Sequence, residues 1–392
     1  MTSPAAPPAT SIASPGPQTG SGTREPRTAF VWDERCFWHS GGNYAFVAPV
    51  GGLVQPLAAG GLPESPETKR RLVNLMRVTG LFDRLAVCGA APATREDLLR
   101  VHPATYIDAF ETLSRAQGGE LGLRAPFGPG GFEIASLAAG LVKTALTEVL
   151  SGHYRNAYAL ARPPGHHCLP DYPMGFCLLA NIAIAIEAAL AARQCERVAV
   201  VDWDVHHGNG TEAIFLERAD VLTISVHQEH NFPFDTGDLS ERGRGAGTGF
   251  NLNIPLPPGC GHDAYLYAFD RLIDPALRAF RPDVIVVACG FDASGVDPLS
   301  RMLASADTFA ELTRRIMGLA DDLCGARLVM AHEGGYSELH VPFCGHAVID
   351  AMAGTGLTAP DPLAARMIAN EPNQRVRAFH RTLIDEMAAR LH

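Results

Sequence analysis

The sequence predicts an α/β fold in three layers (α/β/α), with helices on both faces of a mostly parallel central sheet. Short apolar runs rich in Val and Ile alternate with longer helical segments. These runs lack the polar–apolar alternation of strands that face water on one side. Hydrophobic residues make up 47% and charged residues 19% of the 392 residues, so the chain can bury the large core that such a sheet requires.

The predicted elements follow in chain order. Strands are expected at 28–32, 157–160, 198–201, 221–226, 250–254, 284–288 and 328–331, each a short and mostly apolar run. Helices are expected at 67–79, 94–101, 134–150, 181–192, 211–218, 263–280, 306–324 and over most of 363–391. The first helix places Leu72, Leu75 and Met76 on one side, and Thr94 is a typical N-cap for the second.

The chain divides into a tail and one domain. Residues 1–27 are rich in Pro, Ser, Ala, Thr and Gly and poor in large apolar side chains, so we expect a disordered N-terminal tail. Residues 28–392 show no repeat or composition break and are expected to form a single domain. The loop 33–44 mixes aromatic residues with glycine, which suits a lid, an interface or ordinary packing equally well.

Charge and composition exclude several classes of function. The net charge of −10 and the lack of a Lys/Arg run argue against nucleic-acid binding. No segment is long and apolar enough to span a membrane, and the N-terminus lacks the features of a secretory signal. The nine cysteines are odd in number and form no CxxC, so we expect a reducing cytoplasmic location.

Polar clusters follow five of the predicted strands, and two of them predict a metal site. Asp204 and His206 come after strand 198–201 at a spacing that puts both side chains on one side of an extended chain, and Asp292 follows strand 284–288. Carboxyl ends of parallel strands meet at one edge of a sheet. Two carboxylates and one imidazole leave a coordination position open, with Zn²⁺ as the default ion and Fe²⁺ as the second choice. The alternatives are a solvated loop for the first pair and a helix cap for Asp292.

A histidine pair supplies the expected acid–base chemistry. Pro163, Pro164 and Gly165 form a stiff turn that would present His166 and His167. One neutral imidazole can take a proton while its partner stays charged. Two more side chains are expected to accept hydrogen bonds from the outer ring nitrogens: Asp202 and Asn209. The alternative is two core histidines with satisfied nitrogens.

Three aromatic residues complete the predicted site. Tyr336 follows Gly334 and Gly335, which would let its hydroxyl approach the site and donate to an oxyanion; a packed tyrosine is the alternative. Phe176 and Phe232 would wall a narrow channel, although each could also be plain core.

Six motifs, in this order, carry a family resemblance: RPPGHH, MGFC, DWDVHHGNGT, TISVHQ, GFDAS and EGGY. Together they resemble the zinc-dependent histone deacetylase superfamily with its arginase-like fold, and among its members the bacterial histone deacetylase-like amidohydrolases, which are related to class II. The resemblance covers residues 28–361. It implies zinc on Asp204, His206 and Asp292, a general base and acid at His167, and an oxyanion donor at Tyr336. Two further positions, Asn209 and Glu333, follow the class II pattern.

The resemblance also implies features that spacing alone does not give. The acyl-lysine channel would be formed by Gly175, Phe176 and Phe232, although NFPFD departs from the related FPPD. A structural K⁺ near the zinc would be held by Asp202, Asp204, His206, Ser225 and Val226. A second K⁺ would lie on carbonyls of Phe215, Arg218, Val221 and Phe250. A homo-oligomer, either a dimer or a tetramer, is the implied assembly.

Three functions are weighed. The first is a zinc amidohydrolase that removes acetyl groups from acetylated lysine in peptides or proteins. The second is an acetylpolyamine deacetylase, for which Glu34, Glu120 and Glu229 are candidate rim acids. The third is a non-catalytic acyl-amine binding protein, which the complete set of ligands and the tyrosine disfavours.

Overall fold

The computed structural model of the protein describes residues 27–54 and 61–391. Residues 1–26, which make up nearly all of the predicted tail, lie outside the described residues. Within these ranges the architecture is a three-layer α/β/α fold around a central sheet of eight parallel strands, and the predicted fold class is confirmed. The strand order in the sheet is β10-β9-β8-β11-β12-β7-β1-β4.

The strands have the following bounds. The central sheet contains β1 Thr28–Val31, β4 Ala86–Cys88, β7 Asn156–Ala159, β8 Val198–Asp202, β9 Val221–Gln228, β10 Asn251–Leu256, β11 Val284–Cys289 and β12 Leu328–His332. Two short antiparallel pairs stand apart from it: β2 Tyr44–Ala45 with β3 Ala48–Pro49, and β5 Gly119–Glu120 with β6 Pro126–Phe127.

The α-helices within the described ranges have the following bounds. They are α1 Pro66–Thr79, α2 Arg95–Leu99, α3 Ala104–Ala116, α4 Gly131–Leu150, α5 Asn181–Ala191, α6 Asn209–Phe215, α7 His262–Ala268, α8 Asp274–Phe280, α9 Ala306–Cys324, α10 Val341–Ala353, α11 Ala364–Asn370 and α12 Gln374–Leu391. One group packs α4 against α5, and another packs α10 against α1 and α9. Thr94 caps α2 in a capping box with Asp97, as its side chain predicts.

The inner strands of the sheet are buried along their length. All eight residues of β9 and all six of β11 are buried, which explains why these strands show no alternation. The order of the strands reverses between the neighbours β8 and β11, since the chain adds β9 and β10 on one side and β12 on the other. Ligands of such sheets bind beyond the carboxyl ends of the strands at this switch point.

The structure departs from the expected elements at several places. Strand β4 of the central sheet and the two short antiparallel pairs were not predicted. The helix predicted at 263–280 contains a π-helical turn at Phe269–Ile273, just before Pro275, whose missing N–H disturbs the regular hydrogen-bond pattern. The loop 33–44 contains a 3₁₀ helix at Glu34–Trp38. Helices α3 and α10 were not predicted. Both have proline in or just before the first turn, where its missing N–H costs nothing.

Candidate active site

The side chains of Asp204, His206 and Asp292 meet at the switch point of the sheet. His206 Nδ1 lies 3.1 Å from Asp204 Oδ1 and 3.0 Å from Asp292 Oδ2. Tetrahedral ligands at about 2.0 Å from Zn²⁺ stand about 3.3 Å apart, so these atoms are spaced as zinc ligands are. All three residues are buried. The donor set therefore fits a divalent cation that accepts oxygen and nitrogen ligands.

Backbone groups from other strand ends hold the remaining carboxylate oxygens. Gly334 N–H donates to Asp204 Oδ2, and Val205 N–H donates to Asp292 Oδ1, both at 2.7 Å. The oxygens that face His206 are consequently the ones left for an ion. Outer hydrogen bonds of this kind fix the orientation of metal ligands.

The spacing of Asp204 and His206 predicted that their side chains meet because both residues lie in an extended chain. The structure brings them together in a different way. Strand β8 ends at Asp202, and Asp204 and His206 lie in the bend that follows rather than in extended chain. Asp204 Oδ1 accepts the His206 N–H at 2.9 Å, which closes this bend. The two side chains meet because the loop turns back on itself.

The two predicted histidines lie beside this cluster, and each has its own hydrogen-bond partner. His166 Nδ1 lies 3.0 Å from Asp202 Oδ2, and His167 Nδ1 lies 2.8 Å from the Asn209 side-chain oxygen. Both partners accept, so both Nδ1 atoms carry a proton. Among the described residues, His167 Nε2 has no hydrogen-bond partner, and its ring lines the cavity described below.

The environments of the two rings separate their pKa values. Burial opposes charge on His166, but the carboxylates of Asp204 and Asp202 outweigh it and hold the pKa of His166 well above its usual value. Burial, together with His166 and His206, holds the pKa of His167 well below its usual value. The carboxylate of Asp202 favours a charged His166 ring, whereas the amide of Asn209 leaves the His167 ring neutral. One charged and one neutral ring is the arrangement that acid–base catalysis uses.

Tyr336 faces the same space from the loop after β12. Burial and the carboxylates of Asp292 and Asp204 raise its pKa well above the usual value, so its hydroxyl remains a donor. Among the described residues no acceptor lies within hydrogen-bond distance of that hydroxyl. The buried carboxylate of Asp297 accepts the Tyr336 backbone N–H at 2.8 Å and fixes the position of this residue. Nothing in the sequence singled out Asp297.

A narrow cavity of about 120 Å³ leads from the surface to this site. Its lining residues are Val47, Arg124, His167, Gly175, Phe176, His206, Asn231, Phe232, Phe234, Leu299 and Tyr336. The Phe176 and Tyr336 ring centroids are 5.6 Å apart, and those of Phe232 and His167 are 5.1 Å apart. All three residues expected to form the channel thus line it, together with Phe234, which follows the same strand as Phe232, and with Leu299 and Arg124, which were not predicted there.

Gly175 occupies its place in this wall because nothing larger fits. Its φ of +55° is in the left-handed region, and a Cβ there would collide with the His167 ring and come within 2.9 Å of Phe232. The backbone of the channel wall therefore lies directly against the histidine.

Two buried carboxylates hold the histidine turn in place. Glu333 Oε2 accepts the backbone N–H groups of Gly165 at 2.7 Å and His166 at 3.1 Å. Glu64 accepts Arg162 Nε at 3.0 Å and Lys69 Nζ at 2.8 Å, and all three of these side chains are buried. No sequence pattern indicated the second cluster, because Arg162 is 98 residues from Glu64 in the chain.

The residues that the resemblance assigns to potassium lie on strands β8 and β9, on helix α6 and in the segments next to β8, α6 and β10. Asp202 is the register partner of Ser225, whose hydroxyl accepts the Gly208 N–H at 3.3 Å. In the second set, the Phe215 carbonyl accepts Arg218 N–H and the Phe250 carbonyl accepts Thr223 N–H. Val226 lies on β9 next to Ser225, and Val221 begins that strand. The carbonyl oxygens each keep a second lone pair for an ion.

Comparison with known proteins agrees with this geometry. The histone deacetylase domain family matches residues 62–352, a range that includes every candidate ligand and both histidines. The chain belongs to the histone deacetylase family. A histone deacetylase-like amidohydrolase of Pseudomonas aeruginosa is 56% identical over 363 residues, which cover 93% of this chain and 96% of that protein.

More distant relatives extend the similarity to other kingdoms. A probable deacetylase of Archaeoglobus fulgidus is 39% identical over 76% of this chain and 84% of its own length. Histone deacetylase 8 of Arabidopsis thaliana is 35% identical over 81% of this chain and 84% of its own length. The crystal structure of the HDA15 HD domain superposes with a TM-score of 0.76 at 30% identity, covering 94% of this chain and 99% of that domain. The predicted family is therefore confirmed, and the names of these relatives support a hydrolase of the deacetylase class.

Within the described ranges, the helices are all too short or too polar to cross a membrane.

Proposed function

We propose that this protein is a zinc-dependent amidohydrolase that removes acetyl groups from acetylated lysine side chains. One observation carries the proposal. At the inner end of a narrow channel, His206 Nδ1 lies about 3 Å from a carboxylate oxygen of Asp204 and from one of Asp292. Beside them are two histidines and a tyrosine hydroxyl that has no partner among the described residues. A narrow channel suits a linear acylated amine. The donor set suits zinc, with Fe²⁺ as the second choice.

When bound there, a divalent cation would act as a Lewis acid that polarises the acyl carbonyl and acidifies a water molecule. The rest of the chemistry belongs to the chain. His167 is neutral and presents Nε2 to the channel, so it takes the proton of the attacking water. Tyr336 donates its hydroxyl hydrogen bond to the oxyanion that forms on the carbonyl oxygen.

The histidine pair also completes the reaction. The charged ring of His166 stabilises the anionic intermediate, and the proton held by the pair passes to the departing amine as the C–N bond breaks. The products are acetate and a free amine, so one water is consumed for each amide cleaved. Asp202 and Asn209 are positioning residues in this scheme, since each fixes the tautomer and orientation of one ring.

A metal-replacement experiment with purified protein tests the proposal. Turnover of a fluorogenic acetyl-lysine peptide is measured as isolated, after chelation, and after addition of Zn²⁺ or Fe²⁺, together with the metal content. We expect about one ion per chain, loss of activity on chelation and recovery with Zn²⁺. His167→Ala should abolish turnover, whereas His153→Ala, at an exposed histidine paired with Glu148, should not. Undiminished turnover in His167→Ala would exclude the proposed general base.

Three further features belong to the proposal. A structural K⁺ would bind at Asp202, Ser225 and Val226, and a second on the Phe215, Arg218, Val221 and Phe250 carbonyls. Trp38 is 74% exposed and Phe234 is 63% exposed, which fits a homo-oligomer, dimer or tetramer, that covers them. Light scattering of the purified protein would measure that assembly. The location proposed is the cytoplasm.

An acetylpolyamine deacetylase is the second candidate. Glu120 supports it, because this exposed carboxylate accepts a hydrogen bond from Tyr44, which packs against the channel residues Phe176 and Tyr336. The other candidate rim acids are less well placed. Glu34 pairs with Arg70 on helix α1, and Glu229 is not among the lining residues of the channel.

A further inference from the structure

We propose that Arg124 sets the substrate preference of this enzyme, favouring acyl-lysine sites with an acidic neighbour and disfavouring acylated amines that carry a free ammonium group. This inference rests on the proposed deacetylase function and narrows its substrate class. It depends on the position and the unpaired charge of one side chain at the channel.

Arg124 brings a permanent positive charge to the channel wall. It is the only Arg, Lys, Asp or Glu among the described residues that line the cavity. Its guanidinium carbon lies 5.8 Å from the centroid of the Phe232 ring, so the cation lies against one of the channel aromatics. The other polar residues in this lining are the two histidines, Asn231 and Tyr336.

Backbone hydrogen bonds join the segment of Arg124 to the channel residues Gly175 and Phe176. The Arg124 carbonyl accepts the Phe176 N–H at 2.9 Å, and the neighbouring Leu123 carbonyl accepts the Gly175 N–H at 3.0 Å. The Arg124 φ of +54° is in the left-handed region, so the segment turns sharply here. The root of the side chain is thus fixed relative to the channel.

Within the described residues, Arg124 has no acidic partner. No carboxylate lies within 4.0 Å of its guanidinium. Glu120 is close in sequence, but its two oxygens accept the Tyr44 hydroxyl at 2.8 Å, and one of them also accepts the Ala125 N–H at 3.0 Å. The carboxylate nearest in the chain is therefore engaged elsewhere, and the charge of Arg124 is available to a ligand.

The chemistry of the two substrate classes decides how this charge acts. In acetyl-lysine, four methylene groups separate the acylated nitrogen from Cα. In acetylputrescine, four methylene groups separate it from the free ammonium. With the acetamide held at the inner end of the channel, the ammonium takes the position of the lysine Cα, farther out along the channel that Arg124 lines.

Two like charges about 6 Å apart at a partly solvated site, with an effective dielectric constant near 40, change an equilibrium about tenfold. An acidic side chain next to the acetyl-lysine gains by a similar factor if it approaches as closely. The effect is one of binding, so we expect it in KM and kcat/KM and not in kcat.

The experiment compares substrates that differ only in charge at the mouth. They are N-pentylacetamide and acetylputrescine, which differ by a methyl group in place of the ammonium, and acetyl-lysine peptides with Asp or Asn as neighbour. They are tested on the zinc-loaded wild-type protein, Arg124→Gln and Arg124→Glu. Arg193→Gln is a matched control, because Arg193 is an exposed arginine with φ +54° at the end of helix α5 and does not line the channel.

We expect the wild type to prefer the Asp peptide over the Asn peptide, and N-pentylacetamide over acetylputrescine, each by about tenfold in kcat/KM. Arg124→Gln should bring both ratios close to one, and Arg124→Glu should reverse them, while Arg193→Gln keeps the wild-type ratios. Unchanged ratios in both Arg124 variants, with acetyl-lysine peptides still turned over, would overturn the inference and leave the deacetylase function standing. If the wild type cleaves none of these amides, the proposed function itself fails. Arg124→Asn, which tolerates the left-handed backbone, replaces Arg124→Gln if that variant melts early.

Discussion

Replacement of Glu64 by Gln tests the buried ion cluster beneath the active site. Glu64 is 4% exposed and lies between Lys69 at 0% and Arg162 at 1%. The substitution leaves two buried cations without a counter-charge, and breaking a buried pair in this way costs about 3–5 kcal/mol. An unfolding entropy of about 2.1 cal/mol/K per residue gives about 0.8 kcal/mol/K for a chain of this length, so we expect Tm to fall by about 4–6 °C.

Differential scanning calorimetry of wild type and E64Q between pH 3 and 8 measures this loss. Burial raises the pKa of Glu64, but Arg162 and Lys69 outweigh burial and hold it well below the usual value. A carboxylate with a depressed pKa contributes stability above the pKa of the unfolded chain, about 4.3, and loses it as the pH falls toward the folded value. The Tm difference should therefore be constant near neutral pH and shrink below about pH 4.

The control is Asp108→Asn, which removes an exposed bridge to Arg95 with side chains 60% and 47% accessible. Such bridges contribute about 0–1 kcal/mol, so its Tm should stay within about 1 °C of wild type. An E64Q protein that melts as close to wild type as this control would refute the reasoning, because it would mean that the two cations tolerate burial without their carboxylate.

Further outcomes concern catalysis. Tyr336→Phe removes a hydroxyl that has no acceptor in the part of the chain that the structure describes, so we expect kcat to fall by about 10²–10³ with Tm unchanged. A change confined to KM would contradict the oxyanion role. Asn209→Asp places a carboxylate 2.8 Å from His167 Nδ1, which should raise the pKa of His167 because the negative charge favours the protonated ring. Because this ring must be neutral to act as a base, the acidic limb of the kcat/KM profile should move to higher pH, and an unmoved limb would argue against His167. Gly175→Ala forces a left-handed alanine whose Cβ displaces the His167 ring, so activity should fall more than tenfold while Tm drops by only a few degrees. Wild-type turnover in Gly175→Ala would show that the channel wall shifts to accommodate the added methyl group.

The sequence was most informative where chemistry and periodicity are local. Asp204 and Asp292 could be placed together because each follows an apolar strand, and parallel strands bring their carboxyl ends to one edge of a sheet. Helix α9 was predicted at the bounds that the structure gives it, since Ser305 caps it and Gly325 ends it.

The sequence was least informative where a function depends on distant partners. Glu64 and Arg162 are 98 residues apart, and no local pattern marks either one as buried. Arg124 was missed for a similar reason, because its place in the channel follows from a loop bound to residues 175 and 176 by backbone hydrogen bonds. Helix α3 was not predicted; it begins directly after Pro103, and proline is well tolerated where a helix begins.

The backbone N–H groups of Gly334 and Val205 have a consequence for how the site would be loaded. They anchor Asp204 and Asp292 through main-chain atoms of the segments that follow β12 and β8. The carboxylates would therefore keep their orientation whichever ion is bound. Exchange of one divalent ion for another would then proceed as simple ligand substitution. The identity of the metal would be set by supply and affinity, and reloading of stripped protein would need no refolding.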